Sequence, residues 1–209
     1  MPQGGAGVVP SWVETLVRVF NLLTCLVLLV VPGLMAGETD EVCVLETSMG
    51  TMVFRFFEEE APLTVANFKD LVRDGFYDGL PFYRVVAGHV IQAGDGGEND
   101  KPLVKGEFGA YPHVTGAVGL ARDTDPDSGS TEIYICHASR PHLDGRYAVF
   151  GLLVDGFDVL EAIGQVEVIE EWVGDEKDIA FHKPKEEVVI LKAHIERRTL
   201  ESVSAPQAS

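Results

Sequence analysis

Cysteine is scarce in this chain: 209 residues contain three, Cys25, Cys43 and Cys136. Cys25 sits in an apolar N-terminal segment, so only Cys43 and Cys136 remain to pair. A disulfide framework needs more cysteines, and the spacing matches no zinc motif. Both therefore read as small buried residues. Basic residues are scarce too: 16 Lys and Arg stand against 33 Asp and Glu, a formal net charge of −17. A surface of that sign repels phosphate backbones, which excludes a nucleic-acid partner. No P-loop, no G-x-G-x-x-G and no nucleophile elbow occurs. His137 and His142 flank "ASRP" and supply too few ligands for zinc. Asp123, Asp125 and Asp127 have the alternate spacing of a calcium loop. However, Ser128 stands where that loop needs glycine and Tyr134 where it needs a bidentate glutamate, so the stretch reads as a solvated loop. No cofactor or metal is expected.

Long apolar runs are absent with one exception. Residues 19–31, "VFNLLTCLVLLVV", carry no charge, and small residues follow as far as Gly37. This resembles a signal peptide cleaved after Ala36 or Gly37. The alternative is an uncleaved anchor over residues 12–36, with Trp12 at the interface and Arg18 snorkelling. Either reading makes residues 1–37 a separate object. It also places the rest of the chain on the non-cytoplasmic side, exported or membrane-anchored.

The remainder, residues 38–198, has ordinary globular composition. "VCVLETSMGTMVFRFF" predicts a β-hairpin around Ser48–Gly50. "APLTVANFKDLVRDG" predicts a helix with Pro62 in its first turn and Leu63, Ala66, Phe68, Leu71 and Val72 at helical spacing, stopped by Gly75. Strands are predicted within Phe82–Asp95, over Gly116–Arg122, over Glu132–Ala138, over Tyr147–Gly156 and over Glu187–Arg198. "FDVLEAIGQ" predicts a second short helix, and charge runs such as Glu170-Glu171 read as solvated faces. The tail 199–209 reads as disordered. Many short strands with one early and one late helix predict a mainly β fold, a closed antiparallel β-barrel capped by two helices. Within it, "FYRVVAGHVIQAGD" sets Arg84 and Gln92 in short apolar strands. A polar group aimed at an apolar face is either paired for structure or placed for a ligand.

"FYRVVAGHVIQAGD", "GAVGLAR", "DSGSTEIYIC" and "PHLDGRYAVFG" together resemble the successive signature segments of the cyclophilin-type peptidyl-prolyl cis-trans isomerases, in bacterial-like form. The resemblance runs from about Val42 to Ile195. It implies an enzyme that rotates X-Pro peptide bonds in proline-containing polypeptides and assists protein folding. By position it implies that Arg84 is the catalytic arginine and that Gln92 helps to hold the substrate backbone. Ala121 and Arg122 would hydrogen-bond the peptide, and His89, Val90, Tyr134 and Leu143 would wall the proline pocket. Glu132, His142 and Tyr147 fill further substrate-binding positions, where the family usually has Gln, Trp and His. His89 and Val90 stand where it usually has Phe and Met. These departures define a rival reading, a weakened cyclophilin-like binding module tethered to a membrane complex. In that reading Glu132 would form an ion pair with Arg84.

Overall fold

A computed structural model of the chain describes residues 39–97, 101–109, 111–172 and 180–199. The N-terminal apolar segment and the tail beyond Thr199 lie outside the described residues. Among the described residues, no helix is long and apolar enough to cross a membrane.

Ten strands and two α-helices make up the described chain. The predicted hairpin is β1 (Thr39–Thr47) and β2 (Gly50–Phe56), in register Val42↔Arg55 to Thr47↔Gly50. Then come helix α1 (Pro62–Arg73), β3 (Arg84–Val86), β4 (Val90–Ala93), β5 (Ala117–Leu120) and β6 (Ile133–Cys136). A single 3-10 turn, Pro141–Leu143, precedes β7 (Val149–Asp155) and helix α2 (Phe157–Gly164). The last strands are β8 (Val168–Trp172), β9 (Ala180–Pro184) and β10 (Ile190–Thr199). Eight of them form one antiparallel sheet in the order β10-β1-β2-β7-β5-β6-β4-β3, while β8 and β9 form a separate two-stranded sheet.

The expected closed barrel is corrected here. The eight-stranded ladder ends at β3 and at β10, and these two strands are not paired. The segment before β3 instead meets residues 188–190 at the start of β10: Gly79 N–H donates to Ile190 O and Phe82 N–H to Val188 O, both at 2.8 Å, and Ile190 N–H donates to Leu80 O at 2.9 Å. Pro81 and Val189 lie opposite each other in an isolated antiparallel bridge, which does not extend into a further strand pair.

The predicted tail also begins one residue early, because Thr199 pairs with Thr39 and closes β10. The β8–β9 hairpin had no counterpart in the sequence reading. Its alternation is masked by acidic residues at Glu170 and Glu171, which a charge-run reading assigns to solvent.

Helix α1 buries Thr64, Val65, Phe68, Lys69, Leu71 and Val72. The predicted stripe is thus rotated: Leu63 is 53% exposed and Ala66 also faces solvent, whereas Phe68, Leu71 and Val72 hold. Phe68 sets the rotation by meeting Phe54, Tyr77 and Phe150 at centroid distances of 5.5, 5.1 and 5.2 Å. Ala61 caps the helix without a side-chain bond. Glu107, more than forty residues away, supplies the missing acceptor. Its carboxylate takes Leu63 N–H at 3.0 Å, and Thr64 N–H and Oγ1–H at 2.8 Å each. This satisfies orphan donors at the positive end of the helix dipole, and it anchors the loop that leads to β5. Cys43 and Cys136 are free and buried, as expected, and burial pushes the Cys136 thiol up to about 12.

Candidate active site

The sheet register explains how residues scattered over fifty positions meet. Arg84 of β3 lies opposite Gln92 of β4, Gln92 lies opposite Tyr134 of β6, and Tyr134 lies opposite Gly119 of β5. Directly opposed residues of antiparallel strands project to the same face, so Arg84, Gln92 and Tyr134 form one transverse row. Gly119 completes it by being small: a Cβ there would come within 2.2 Å of the Tyr134 ring.

Polar bonds fix the Arg84 end of the row. An Arg84 Nη1–H donates to Gln92 Oε1 at 3.1 Å, and Gln92 Nε2–H donates to Glu132 Oε2 at 2.9 Å and to the Tyr83 hydroxyl. Tyr83 O–H in turn donates to Glu132 Oε2. Because the carboxylate only accepts and the guanidinium only donates, the amide orientation of Gln92 follows from its neighbours. Burial and the bond to Glu132 push the Tyr83 hydroxyl far up, which keeps it a donor. Burial lowers the Arg84 guanidinium, partly offset by Tyr83, yet an arginine stays cationic. The expected Arg84–Glu132 ion pair is not formed among the described residues. Gln92 bonds to both, and Tyr83 and Gln92 donate to the same Glu132 oxygen, Oε2. The other Arg84 donors make no hydrogen bond to any described residue.

Beside this row lies an apolar cluster formed by Val90, Ala117, Tyr134, Cys136, Val149 and Leu152, with Ala121, Leu143 and Tyr147 packed against it. Five residues predicted for the substrate pocket, Val90, Ala121, Tyr134, Leu143 and Tyr147, therefore sit together. Tyr147 meets the Tyr134 ring edge-on at 6.2 Å. His89, in the β3–β4 turn, stacks on exposed His142 with ring centroids 5.9 Å apart. A groove of about 550 Å3 leads away past Gln92, Glu132, Ala121, Arg122 and Leu103.

Arg122 is placed differently from its expected role. Its Nε–H and Nη2–H donate to Arg146 O at 3.2 and 2.8 Å, an Nη1–H donates to Asp123 O at 2.7 Å, and its guanidinium carbon lies 4.5 Å from the Tyr147 ring centroid. The side chain is a brace between the β5–β6 loop and the loop before β7. Asp125 and Asp127 accept bonds from neighbouring backbone amides in a solvated loop, and no described residues form a metal-binding group.

Sequence reading missed the support beneath the pocket. His113, 1% exposed, lies in the loop before β5. Its backbone N–H and Nδ1 both reach Asp144 Oδ1, at 2.8 and 2.7 Å, and its Nε2 lies 2.8 Å from the Tyr134 hydroxyl. The carboxylate selects the tautomer: Nδ1–H donates to Asp144, and Nε2 accepts from Tyr134 O–H. Burial lowers the His113 pKa, opposed by Asp144. Against the upward push of burial, the His113 donors hold the Asp144 carboxyl below its ordinary value. Tyr134 is thereby tied to the loop that carries His142 and Leu143. A lone histidine in "YPHVTG" gives no sign of this, because its partners lie 21 and 31 residues away.

His89 gives the site an acid limit. Burial first, then Arg140, Arg84 and His142, push its pKa down to about 4. An unfolded histidine takes up its proton near 6.5, so the unfolded state binds more protons as pH falls. Stability is therefore lost between about pH 6.5 and pH 4. Replacing His89 with Phe is expected to flatten the decline of the urea midpoint across that window. An unchanged slope would remove His89 as its source.

Arg84 and Gln92, joined on one sheet face, lie beside an apolar cluster that shares Tyr134 with their row. The family model for the cyclophilin type peptidyl-prolyl cis-trans isomerase/CLD matches residues 42–195. The chain belongs to this family and is a peptidyl-prolyl cis-trans isomerase. It is 41% identical over 118 residues to a peptidyl-prolyl cis-trans isomerase of Synechococcus elongatus, covering 54% of this chain and 79% of the relative. To a peptidyl-prolyl cis-trans isomerase of Helicobacter pylori it is 35% identical over 137 residues, covering 62% and 83%. Among solved structures, it is similar to a Cryptosporidium parvum cyclophilin type isomerase crystallised in the presence of the dipeptide Ala-Pro, with a TM-score of 0.63 and 25% identity, covering 74% of this chain and 98% of that one.

Proposed function

We propose that Arg84 is the catalytic residue of this isomerase and that the cluster of Val90, Tyr134 and Leu143, bordered by His89, receives the proline ring. The observation that carries the reading is the Arg84–Gln92–Glu132 chain, which holds the guanidinium by one N–H and leaves its others for a ligand. The X-Pro bond resists rotation by about 18–20 kcal/mol because of amide resonance. Twisting it localises the lone pair on the prolyl nitrogen. A guanidinium N–H donated to that nitrogen binds the twisted form better than the planar one, which is differential transition-state binding. A gain of about 5–7 kcal/mol corresponds to roughly 10⁴–10⁵-fold acceleration. Gln92 acts here by holding Arg84. Its Nε2 donors are engaged, so it contacts the peptide only by exchanging one of those bonds. Ala121 and the Arg122 backbone border the peptide path, and His142 and Tyr147 form its rim.

Proline-containing polypeptides are the ligands, a reading supported by the Ala-Pro dipeptide used with the Cryptosporidium parvum relative. Titrating the labelled protein with an Ala-Pro tetrapeptide is expected to shift amide signals of β3, of β4 and of residues 120–122. Shifts confined to other strands would refute the pocket assignment.

The protein is also proposed to be exported or membrane-anchored through residues 1–37, on the strength of their uncharged apolar run. Mass spectrometry of the native protein checks this. A start at Gly37 or Glu38 marks cleavage, and an uncleaved chain in the membrane fraction marks an anchor. An uncleaved chain in the cytoplasmic fraction refutes export.

A further inference from the structure

We propose that His137 is a positioning residue for the proline pocket: it locks the β3–β4 turn, which carries His89, onto helix α2. This rests on the reading above that His89 and Val90 border that pocket.

His137 follows β6 directly, and its side chain is only 9% exposed. It makes three bonds at once. Its backbone N–H donates to His89 O at 2.9 Å. Its Nδ1 accepts the Gly88 N–H at 2.7 Å. Its Nε2 lies 2.8 Å from Glu161 Oε2 of α2. The second contact settles the third. A backbone amide can only donate, so Nδ1 is the acceptor, and the proton sits on Nε2, where it is donated to the carboxylate.

Both ends of the ring are built to receive it. Gly88 has φ +64°, a left-handed conformation that presents its N–H to the ring. Glycine at 164 leaves room on α2: a Cβ there would come within 2.5 Å of Nε2. A three-residue strand such as β3 cannot hold a four-residue turn rigid by itself. Besides His89 N–H to Val86 O at 2.8 Å, the turn's backbone bonds at Gly88 and His89 both end on His137. His137 makes no hydrogen bond to Arg84 and reaches the pocket only through the backbone of the turn, so its effect on the reaction runs through the placement of His89 and Val90.

Such a residue changes binding of planar and twisted peptide alike. That raises the dissociation constant and leaves the turnover of bound peptide near its original value. One neutral hydrogen bond is worth about 0.5–1.5 kcal/mol, or roughly 3–10-fold in affinity. Asn and Leu have the same branched shape, but only Asn places an oxygen where Nδ1 stands. His137→Asn is therefore expected to keep peptide affinity within twofold. His137→Leu should weaken affinity about 3–10-fold, keep turnover at saturation within twofold, and speed hydrogen exchange of the Gly88 amide. If the Leu variant does not fold, His137→Gln serves, because it reaches toward Glu161 and offers no acceptor at the Nδ1 position.

NMR titration with an Ala-Pro tetrapeptide, exchange spectroscopy at saturation and amide exchange read these quantities. Equal affinities for the Asn and Leu (or Gln) variants, or unchanged Gly88 exchange in the latter, would overturn the proposal. A His89→Ala arm separates the two failures. If that variant alters affinity while the His137 variants do not, the positioning role is wrong. If it leaves affinity unchanged, the pocket reading fails and the proposal falls with it.

Discussion

Replacing Arg84 with alanine is expected to lower kcat/KM for an Ala-Pro tetrapeptide by about 100–1000-fold, the range found when a single charge-stabilising donor is removed from a transition state. The fold should survive, because Arg84 is only half-buried and gives up one bond, to Gln92 Oε1. Gln92 can then turn its carbonyl to solvent. Arg84→Lys is expected to recover little. Lysine is a point charge without the guanidinium fork, and it cannot donate to Gln92 and to a prolyl nitrogen from one planar group. An isomerisation assay beside a thermal melt measures both effects. A kcat/KM within threefold of the parent, with an unchanged melt, would show that the cation does not act on the bond.

The force of that prediction comes from where Glu132 is found. An arginine locked in an ion pair would have its charge compensated and its donors occupied. Here Tyr83 and Gln92 both donate to Glu132 Oε2, and no ion pair joins Glu132 to Arg84 among the described residues. The charge acts one step back: it fixes Gln92, and Gln92 fixes Arg84. Tyr83, adjacent to Arg84 in sequence, carries no conspicuous signal of its own, yet it is one of the two donors to Glu132 Oε2.

Some of this arrangement is readable in the chain. Two short apolar runs around Ala87-Gly88 place Arg84 and Gln92 in one hairpin, and their eight-residue spacing is the Arg84↔Gln92 register that is observed. The apolar character of Val90, Tyr134, Leu143 and Tyr147 likewise suffices to gather them. What the chain conceals are contacts whose partners are distant and whose residue types have more than one use. Glu107 looks like any surface acid until it caps α1. Arg122 looks like a peptide contact until Arg146 O claims it. The β8–β9 hairpin is hidden by acids within it, and the seam near β3 and β10 rests on an isolated bridge between Pro81 and Val189, which lie far apart in the chain.

The second large effect is expected beneath the pocket, at His113. His113→Leu removes both ring bonds while filling much of the space. Asp144 is 38% exposed at its side chain and recovers water, but the Tyr134 hydroxyl, in a residue 5% exposed, does not. Leaving a buried hydroxyl unpaired costs about 1–3 kcal/mol, and the lost bond to a charged carboxylate adds about as much again at most, so destabilisation of about 2–4 kcal/mol is expected. Tyr134→Phe alone strands the Nε2 lone pair and should cost about 1–2 kcal/mol. The double variant strands neither group. Its cost should therefore fall below the sum of the two by about 1 kcal/mol or more, the coupling that residues in direct contact show. The pH dependence has a definite sign. Because burial lowers the His113 pKa, the unfolded chain takes up the proton first, and the parent loses stability as pH falls below about 6.5. His113→Leu should lose that part of the slope while being less stable at pH 7. Urea unfolding of the four proteins at pH 7 and pH 5.5 decides it. Additive costs would mean that His113 and Tyr134 are neighbours and not partners, and that Tyr134 is not tied through His113 to the His142–Leu143 loop.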